Sequence, residues 1–271
     1  MYKIDNNVLE RKMMYEGTVV LTYKINYPYI EAKTHSFGII NFNIYNKKQA
    51  FSLQRKCENE LFKQAVELYK YNKKNGYPQR AYEVVRNYEV TLNANNVISL
   101  YSDEYIYSGG AHGDTVRTSQ NWNMITGKMI KLEDVFKNNP YFMVDIFKEI
   151  NRQIAANPRV FFEDSCQLVI STFNPNSFYL TKDAVYIYYQ QYDIAPYSTG
   201  IPTFRIKRTW KNLSKWLTNY NYMCIIIIGN GETTNVAYHQ LINIERIYNL
   251  GITDAFFLLF ALTQNYRNHN N

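Results

Sequence analysis

From Val97 to Tyr107 apolar residues and tyrosines alternate, and the run then breaks into Ser108-Gly-Gly-Ala-His-Gly113. No other stretch limits the fold so sharply. Side chains two apart share one face of a strand, so Ile98, Leu100 and Ile106 fall on a face fit for a core. Tyr101, Tyr105 and Tyr107 fall on the other, a display surface. At Gly109, Gly110 and Gly113 the missing Cβ permits positive φ and close approach of another backbone. The strand can therefore turn sharply and leave His112 at a rim.

The neighbouring segments supply partners for this strand. Tyr82 to Leu92 reads as a second strand, joined to the first through Asn93-Ala-Asn-Asn96, where asparagine tolerates the left-handed conformation a hairpin needs. Thr18 to Ile30 is β-branched and aromatic and is read as a strand that stops at Pro28, and Phe37 to Tyr45 continues in extended form. A long helix is predicted from about Lys47 to Asn75, because Ala50, Leu53, Cys57, Leu61, Ala65 and Leu68 recur at three- and four-residue steps. Gly76 and Pro78 stop it.

Beyond the glycine turn, Thr115 to Met124 and Lys128 to Leu132 flank Ile125-Thr-Gly127 as another hairpin, followed by a short helical piece over Leu132 to Phe136. Asn139-Pro140 reads as an N-cap with proline at the first helical position, opening a helix whose stripe is Met143, Phe147, Ile150 and Ile154. Asn157-Pro158 ends it. Phe178 to Tyr192 is a hairpin about Thr181-Lys-Asp-Ala184, with Val185, Ile187 and Tyr189 on one face and Tyr186, Tyr188 and Tyr192 on the other. Asp193-Ile-Ala-Pro-Tyr-Ser-Thr-Gly-Ile-Pro202 is a loop stiffened by two prolines and turned at Gly200, leading to a short strand around Phe204 and Ile206. Lys207, Arg208, Lys211 and Lys215 interleave with Trp210, Leu213, Trp216 and Leu217 as an amphipathic helix packed on the domain or on a membrane surface. Residues 219–271 are assigned to no element.

Composition narrows the function classes. The chain has 271 residues, enough for one large domain or two small ones. Lys and Arg outnumber Asp and Glu by 30 to 23, giving +7, which favours acidic partners, yet the basic residues are dispersed. With no RNP1-like aromatic block, no zinc finger and only a short basic cluster from Arg205 to Lys215, nucleic acid is not an expected partner. Tyrosine is the outlier, 26 copies against 15 Phe and 3 Trp. That excess suits either β-rich architecture or recognition of protein or sugar. The N-terminus lacks a secretory h-region, and neither Cys224 to Ile228 nor Phe256 to Leu262 approaches the roughly 20 apolar residues of a membrane span. No export signal and no transmembrane segment are therefore expected.

The residues carry no strong catalytic signature. His112 and Asp114 could share a metal or a proton, but a metal site wants roughly three or four ligands, and His35, His239 and His269 have no useful spacing to them. Ser108 does not sit in G-x-S-x-G, and Gly-Gly-Ala-His-Gly is neither G-x-G-x-x-G nor a P-loop. Asp103-Glu104 and Glu163-Asp164 read as solvated or capping carboxylates rather than a glycosidase pair. Cys57, Cys166 and Cys224 have no C-x-x-C spacing, and Cys57 reads as a buried free thiol. No cofactor and no metal are expected.

The order of the pieces says more. Tyr23 to Tyr29, a long helix, a hairpin ending in Tyr107-Ser-Gly-Gly-Ala-His-Gly113, then Asn123-Met-Ile-Thr-Gly-Lys-Met-Ile-Lys-Leu-Glu-Asp-Val-Phe136, then Tyr189-Gln-Gln-Tyr-Asp-Ile-Ala-Pro-Tyr-Ser-Thr-Gly-Ile-Pro202 resemble a known pair of domains. From about Thr18 to Ile206 the chain is similar to the extracellular lysozyme-sensing region of RsiV-type anti-sigma factors. It is similar too to the region preceding the catalytic domain in PdaC-type peptidoglycan deacetylases. The resemblance implies an α+β fold of two subdomains, antiparallel sheets each packed with helices: 15–95 of the PdaC N-terminal type, 96–207 of the RsiV type, and 208–271 as an extension. It also implies no catalysis of its own, a place outside the cell or in its envelope, and a lysozyme-like protein or cell-wall glycan as partner. The other reading it leaves open is an accessory domain of a peptidoglycan-modifying enzyme, a deacetylase or hydrolase. No sigma-binding segment, membrane helix or deacetylase domain is read in the chain, so neither signalling nor deacetylation is carried over. Two stiff corners with aromatic neighbours are the expected contact surface: Tyr107, Ser108, Gly110 and His112 from the first, and Tyr192, Pro196, Tyr197 and Gly200 from the second. Either corner could instead serve only to lock the fold.

Overall fold

The computed structural model describes residues 1–32, 36–136 and 139–207. The helix expected after Lys207, and the extension 208–271, lie outside the described residues. Within them the fold is α+β, two sheets packed with helices, as the sequence predicts.

Six strands form the first sheet in chain order: β1 (Ile4–Tyr15), β2 (Thr18–Ile30), β3 (Tyr82–Ala94), β4 (Val97–Tyr107), β5 (Asp114–Asn123) and β6 (Lys128–Met129). Neighbours are antiparallel except β2 and β3, which run parallel from Leu21↔Tyr82 to Ile25↔Arg86. A parallel neighbour requires a long crossover, and here it is helical: α1 (Phe37–Lys56), one π turn at Cys57–Leu61, and α2 (Phe62–Asn75). The turn Asn95-Asn96, at which the sequence divides the subdomains, joins β3 to β4 inside this sheet. The change of sheet comes only after Met129. Strand β1, which the sequence reading passes over, pairs with β2 along nearly its whole length and forms the sheet edge.

The stretch Phe37 to Tyr45, predicted to be extended, is the first half of α1. Ser36 caps it, its hydroxyl accepting from the Ile39 amide. Ile39, Phe42, Asn46, Ala50 and Leu53 then bury one helical face. The β-branched isoleucines suggest a strand, but burial of that face against β4 and β5 outweighs their weak local preference. Gly38 makes the contact possible, since a Cβ there would lie 2.0 Å from the Met124 carbonyl oxygen. The π turn inserts one residue, so the buried stripe of Ala50, Leu53, Cys57 and Leu61 continues as Ala65, Val66 and Tyr69. Leu68 is left half-buried, and Gly76 closes α2 in the left-handed conformation, φ +68°.

The second sheet has three antiparallel strands, β7 (Phe178–Leu180), β8 (Ala184–Tyr188) and β9 (Thr203–Lys207). Beside it stand α3 (Leu132–Val135), α4 (Phe142–Ala156) and α5 (Ser165–Ser171). Asn139 does not start α4 directly. Its side chain accepts from the Tyr141 amide and donates to Asp145, a turn that precedes the helix. Ile146, Ile150, Ile154, Val185, Ile187, Tyr189, Phe204 and Ile206 share one core. Tyr188, on the face opposite Val185 and Ile187, is also buried, at 3% exposure, its hydroxyl 3.0 Å from Ser119 Oγ.

The two sheets meet through side chain to backbone hydrogen bonds. On the outer face of the first sheet, Thr91 donates to the Leu180 carbonyl at 2.7 Å and Asn121 to that of Phe178 at 2.9 Å, while Ser99 accepts from the Leu180 amide at 2.7 Å. Strand β7 is an edge strand, and these polar residues satisfy the groups a free edge leaves unpaired. Each such bond contributes about 1 kcal/mol net, and leaving a buried group unpaired costs more. Among the described residues no helix is long and apolar enough to cross a membrane.

Candidate functional site

Beyond β6 the sheet edge at β5 is finished by side chains rather than by a strand. The Arg117 amide donates to Gln190 Oε1 at 2.9 Å, Gln190 Nε2 donates to the Arg117 carbonyl at 2.7 Å, and the Thr115 amide donates to Gln191 Oε1 at 2.8 Å. Two glutamines thus imitate a pairing strand and hold the start of the 189–202 loop along β5. That attachment sets where the rest of the loop falls.

It falls on the glycine turn. Tyr197 OH donates to the Gly113 carbonyl at 2.9 Å, and the Tyr197 ring stacks on His112 with centroids 4.1 Å apart and planes 23° from parallel. Tyr192 stands 5.9 Å from Tyr197 at 33°, completing a row of three rings in which His112 and Tyr192 are exposed and Tyr197 between them is half-buried. His112 Nδ1 lies 3.3 Å from the Gly113 carbonyl and donates to it when that nitrogen carries the proton.

Each corner is stiff for its own reason. In the first, Tyr107 OH donates to the Gly110 carbonyl at 3.0 Å, and Arg80 donates to both Tyr107 OH and Gly110 O, each at 3.3 Å. Gly109 takes φ +90°, whereas Gly110 and Gly113 do not adopt positive φ. Gly113 is needed for space, since a Cβ there would sit 2.5 Å from Tyr105 Cε2 and 2.7 Å from the Ile106 carbonyl oxygen. In the second, Pro196 precedes a 3-10 turn over Tyr197–Thr199, Thr199 Oγ1 donates to the Val160 carbonyl at 2.8 Å, and the Phe162 amide donates to that of Ile194 at 3.1 Å. Gly200 has φ +73° and ψ −134°, a conformation reserved in practice for glycine. Tyr192 adopts φ +66° despite its side chain.

The structure therefore brings His112, Tyr192 and Tyr197 into one row and closes Tyr107 on Gly110 beside them. Ser108 is exposed, Pro196 is half-buried, and Gly200 shapes its loop without a close neighbour of its own. Sequence reasoning misses Arg80, Gln190 and Gln191. It also misses Arg117, whose guanidinium binds both oxygens of Asp103, at 2.7 and 2.6 Å, and lies 3.9 Å over the Tyr101 ring. From Tyr101 a ladder of rings runs through Tyr179 to Tyr186, each step 5.1 Å, tying the outer face of the first sheet to the second. Burial, and then the hydrogen bond to Glu89, push the Tyr101 phenol up to about 12. These partners are fixed by cross-strand register, for which the sequence offers no local signal.

Next to the first corner the outer face of β1, β2 and β3 is hollowed, about 350 Å³ lined by Glu10, Lys12, Thr22, Lys24, Glu83 and Val85. Glu83 pairs across the ladder with Tyr107, so the hollow and the corner adjoin. Among the described residues no group of three His, Cys, Asp or Glu side chains is placed to hold a metal ion.

Together these features define an α+β module presenting a preformed aromatic and polar surface. Two family models match it in succession: residues 15–115 match the model described as Deacetylase PdaC, and residues 133–209 that of Protein of unknown function (DUF3298). The chain is 23% identical over 200 residues to the peptidoglycan-N-acetylmuramic acid deacetylase PdaC of Bacillus subtilis (strain 168). That match takes in 71% of the chain and 41% of the relative, so the chain spans less than half of that protein's length. Among solved structures, a member of the DUF3298 family from Bacteroides fragilis NCTC 9343 is similar with TM-score 0.56 and 20% identity, over 76% of this chain and 90% of that one. A DUF3298 family protein from Pseudomonas aeruginosa PAO1 gives TM-score 0.49 and 16% identity over 76% and 91%. The first of these shares the fold.

Proposed function

We propose that the chain is a non-catalytic, cell-wall-related binding module of the cell envelope, which grips a lysozyme-like protein or a wall glycan through the row His112, Tyr197 and Tyr192. The observation that carries this reading is the stacking of His112 on Tyr197 while Tyr197 OH holds the Gly113 carbonyl. A surface fixed by its own hydrogen bonds loses little conformational entropy on binding. Tyrosine adds large amphipathic contact area with few rotatable bonds. The motif resemblance to the lysozyme-sensing region of RsiV-type anti-sigma factors is the reason to propose a protein partner; the match to a peptidoglycan deacetylase supports the wall context.

That match also favours a second reading, an accessory domain that positions a peptidoglycan-modifying enzyme on its substrate. Calorimetry separates the two. Titration with hen egg-white lysozyme gives saturable binding under the first reading, and Tyr197→Ala weakens it about tenfold or more, as expected for a central aromatic contact. Binding of muropeptides but not lysozyme supports the second. Absence of binding to either, or wild-type affinity in Tyr197→Ala, rejects the proposed surface.

A further inference from the structure

Beneath α1, away from the aromatic row, lies a charged group the fold leaves without a partner. Arg86 is on the inner face of β3, between the buried Val84 and the half-buried Tyr88, and is only 6% exposed. Its cross-strand neighbour is Glu104, yet no ion pair forms between them within 4.0 Å, and among the described residues the guanidinium makes no hydrogen bond. An arginine offers five N–H donors and cannot shed its charge, and here none of its nitrogens is both fully buried and unpaired, so their acceptors must come from the hollow beside it, from water or from a ligand. Burial pulls its pKa down, and the more distant Glu104 only partly offsets this.

The guanidinium faces a hollow of about 160 Å³ lined by Gln49, Ser52, Leu53, Lys56, Arg86 and Glu104. Positions 49, 52, 53 and 56 follow the three- and four-residue steps of one helical face, so α1 forms a single wall, and Ser52 and Lys56 open it to solvent. Two cations and one carboxylate leave the hollow with one net positive charge. Its uncharged polar groups, the Ser52 hydroxyl and the Gln49 amide, both donate. The wall ends at the π turn Cys57–Leu61, a feature frequent at functional sites.

We infer that this hollow is a binding site for a small oxyanion, a carboxylate or phosphate group, received by the Arg86 fork at its floor and by Lys56, Ser52 and Gln49 at its mouth. A planar guanidinium donates to two oxygens of such a group at once, whereas a water molecule offers it one. Glu104 limits the site to a ligand of low charge. The aromatic row takes no part, so this inference stands or falls independently of the proposed envelope function.

The experiment uses the whole chain, melted in sodium acetate, sodium phosphate or sodium chloride at one ionic strength. Acetate or phosphate is expected to raise Tm saturably over chloride, by roughly 5–10 °C at a hundredfold excess over Kd. A response to acetate alone assigns the site to carboxylates and one to phosphate alone assigns it to phosphate groups. Lys56→Ala, at an exposed position, is expected to melt normally without ligand and to bind about tenfold more weakly, and Arg86→Lys, which lacks the fork, to lose the response. Lys48→Ala, on the same helix but outside the hollow, keeps it. Equal melting in the three salts, or a rise that Lys56→Ala leaves unchanged, overturns the inference.

Discussion

Gly110 and Gly113 stand three residues apart in one turn and look alike in sequence, yet replacing each by alanine should have opposite consequences. Neither has positive φ, so the comparison isolates space from backbone conformation. At Gly113 the new Cβ would lie 2.5 and 2.6 Å from two Tyr105 ring carbons and 2.7 Å from the Ile106 carbonyl oxygen, about 1 Å inside ordinary contact. Either the Tyr105 ring moves or the turn lifts, and lifting it withdraws the carbonyl that accepts from Tyr197 OH. Overpacking costs roughly 1–3 kcal/mol, and losing that hydrogen bond adds about 1 kcal/mol. Gly113→Ala should therefore destabilise by roughly 2–4 kcal/mol, lowering Tm by about 4–16 °C for a unit of this size. At Gly110 the added Cβ meets only the His112 carbonyl oxygen, at 3.8 Å, an ordinary contact. Gly110→Ala should stay within about 0.5 kcal/mol of wild type, or gain slightly because the unfolded chain loses freedom. Scanning calorimetry on both variants decides it. Equal melting of the two, or a Gly113→Ala protein within about 1 °C of wild type, would refute the account of the turn.

Other consequences are open to measurement. Gln190→Ala removes both bonds to the Arg117 backbone, so hydrogen exchange at that amide should speed up by about tenfold or more, corresponding to roughly 1–2 kcal/mol of lost local stability. Burial pushes the Cys57 thiol up to about 12, so alkylation at pH 8 followed by peptide mass mapping should leave Cys57 unmodified in the native protein and modified in urea. The Tyr101 phenol is likewise raised to about 12, above its unfolded value of about 10. Below pH 10 both states keep the proton and the contribution is whole; it is lost as pH rises from about 10 toward 12, where the unfolded chain ionises first. Urea midpoints of Tyr101→Phe should consequently fall less steeply than those of wild type over that interval.

The contrast between the two glycines shows what could be read in advance. Period-2 alternation sufficed for β4, because a strand with one buried face must repeat every second residue whatever packs on it. Gly76, ending α2, and the hairpin at Asn95-Asn96 were legible because left-handed backbone is a local demand. The start of α1 was not, since the gain there comes from β4 and β5, segments far along the chain. Likewise the row of Ala50, Leu53, Cys57 and Leu61 was visible, but the inserted π residue that shifts the stripe afterwards was not.

By itself the sequence determined the α+β class, most of the strands, and two corners stiffened by glycine and proline, because propensity, alternation and turn chemistry act over a few residues. That the corners meet was decided only by tertiary structure. Gln190 and Gln191 lie more than seventy residues beyond the β5 amides they satisfy, and Tyr197 reaches Gly113 across a comparable distance in the chain. The same holds for Arg86, an ordinary strand residue in sequence, which becomes a buried and unpartnered charge only when α1 closes over β3 and β4. Unsatisfied edge groups and buried charges exist only once the chain has folded, so the residues that answer them carry no mark in the sequence.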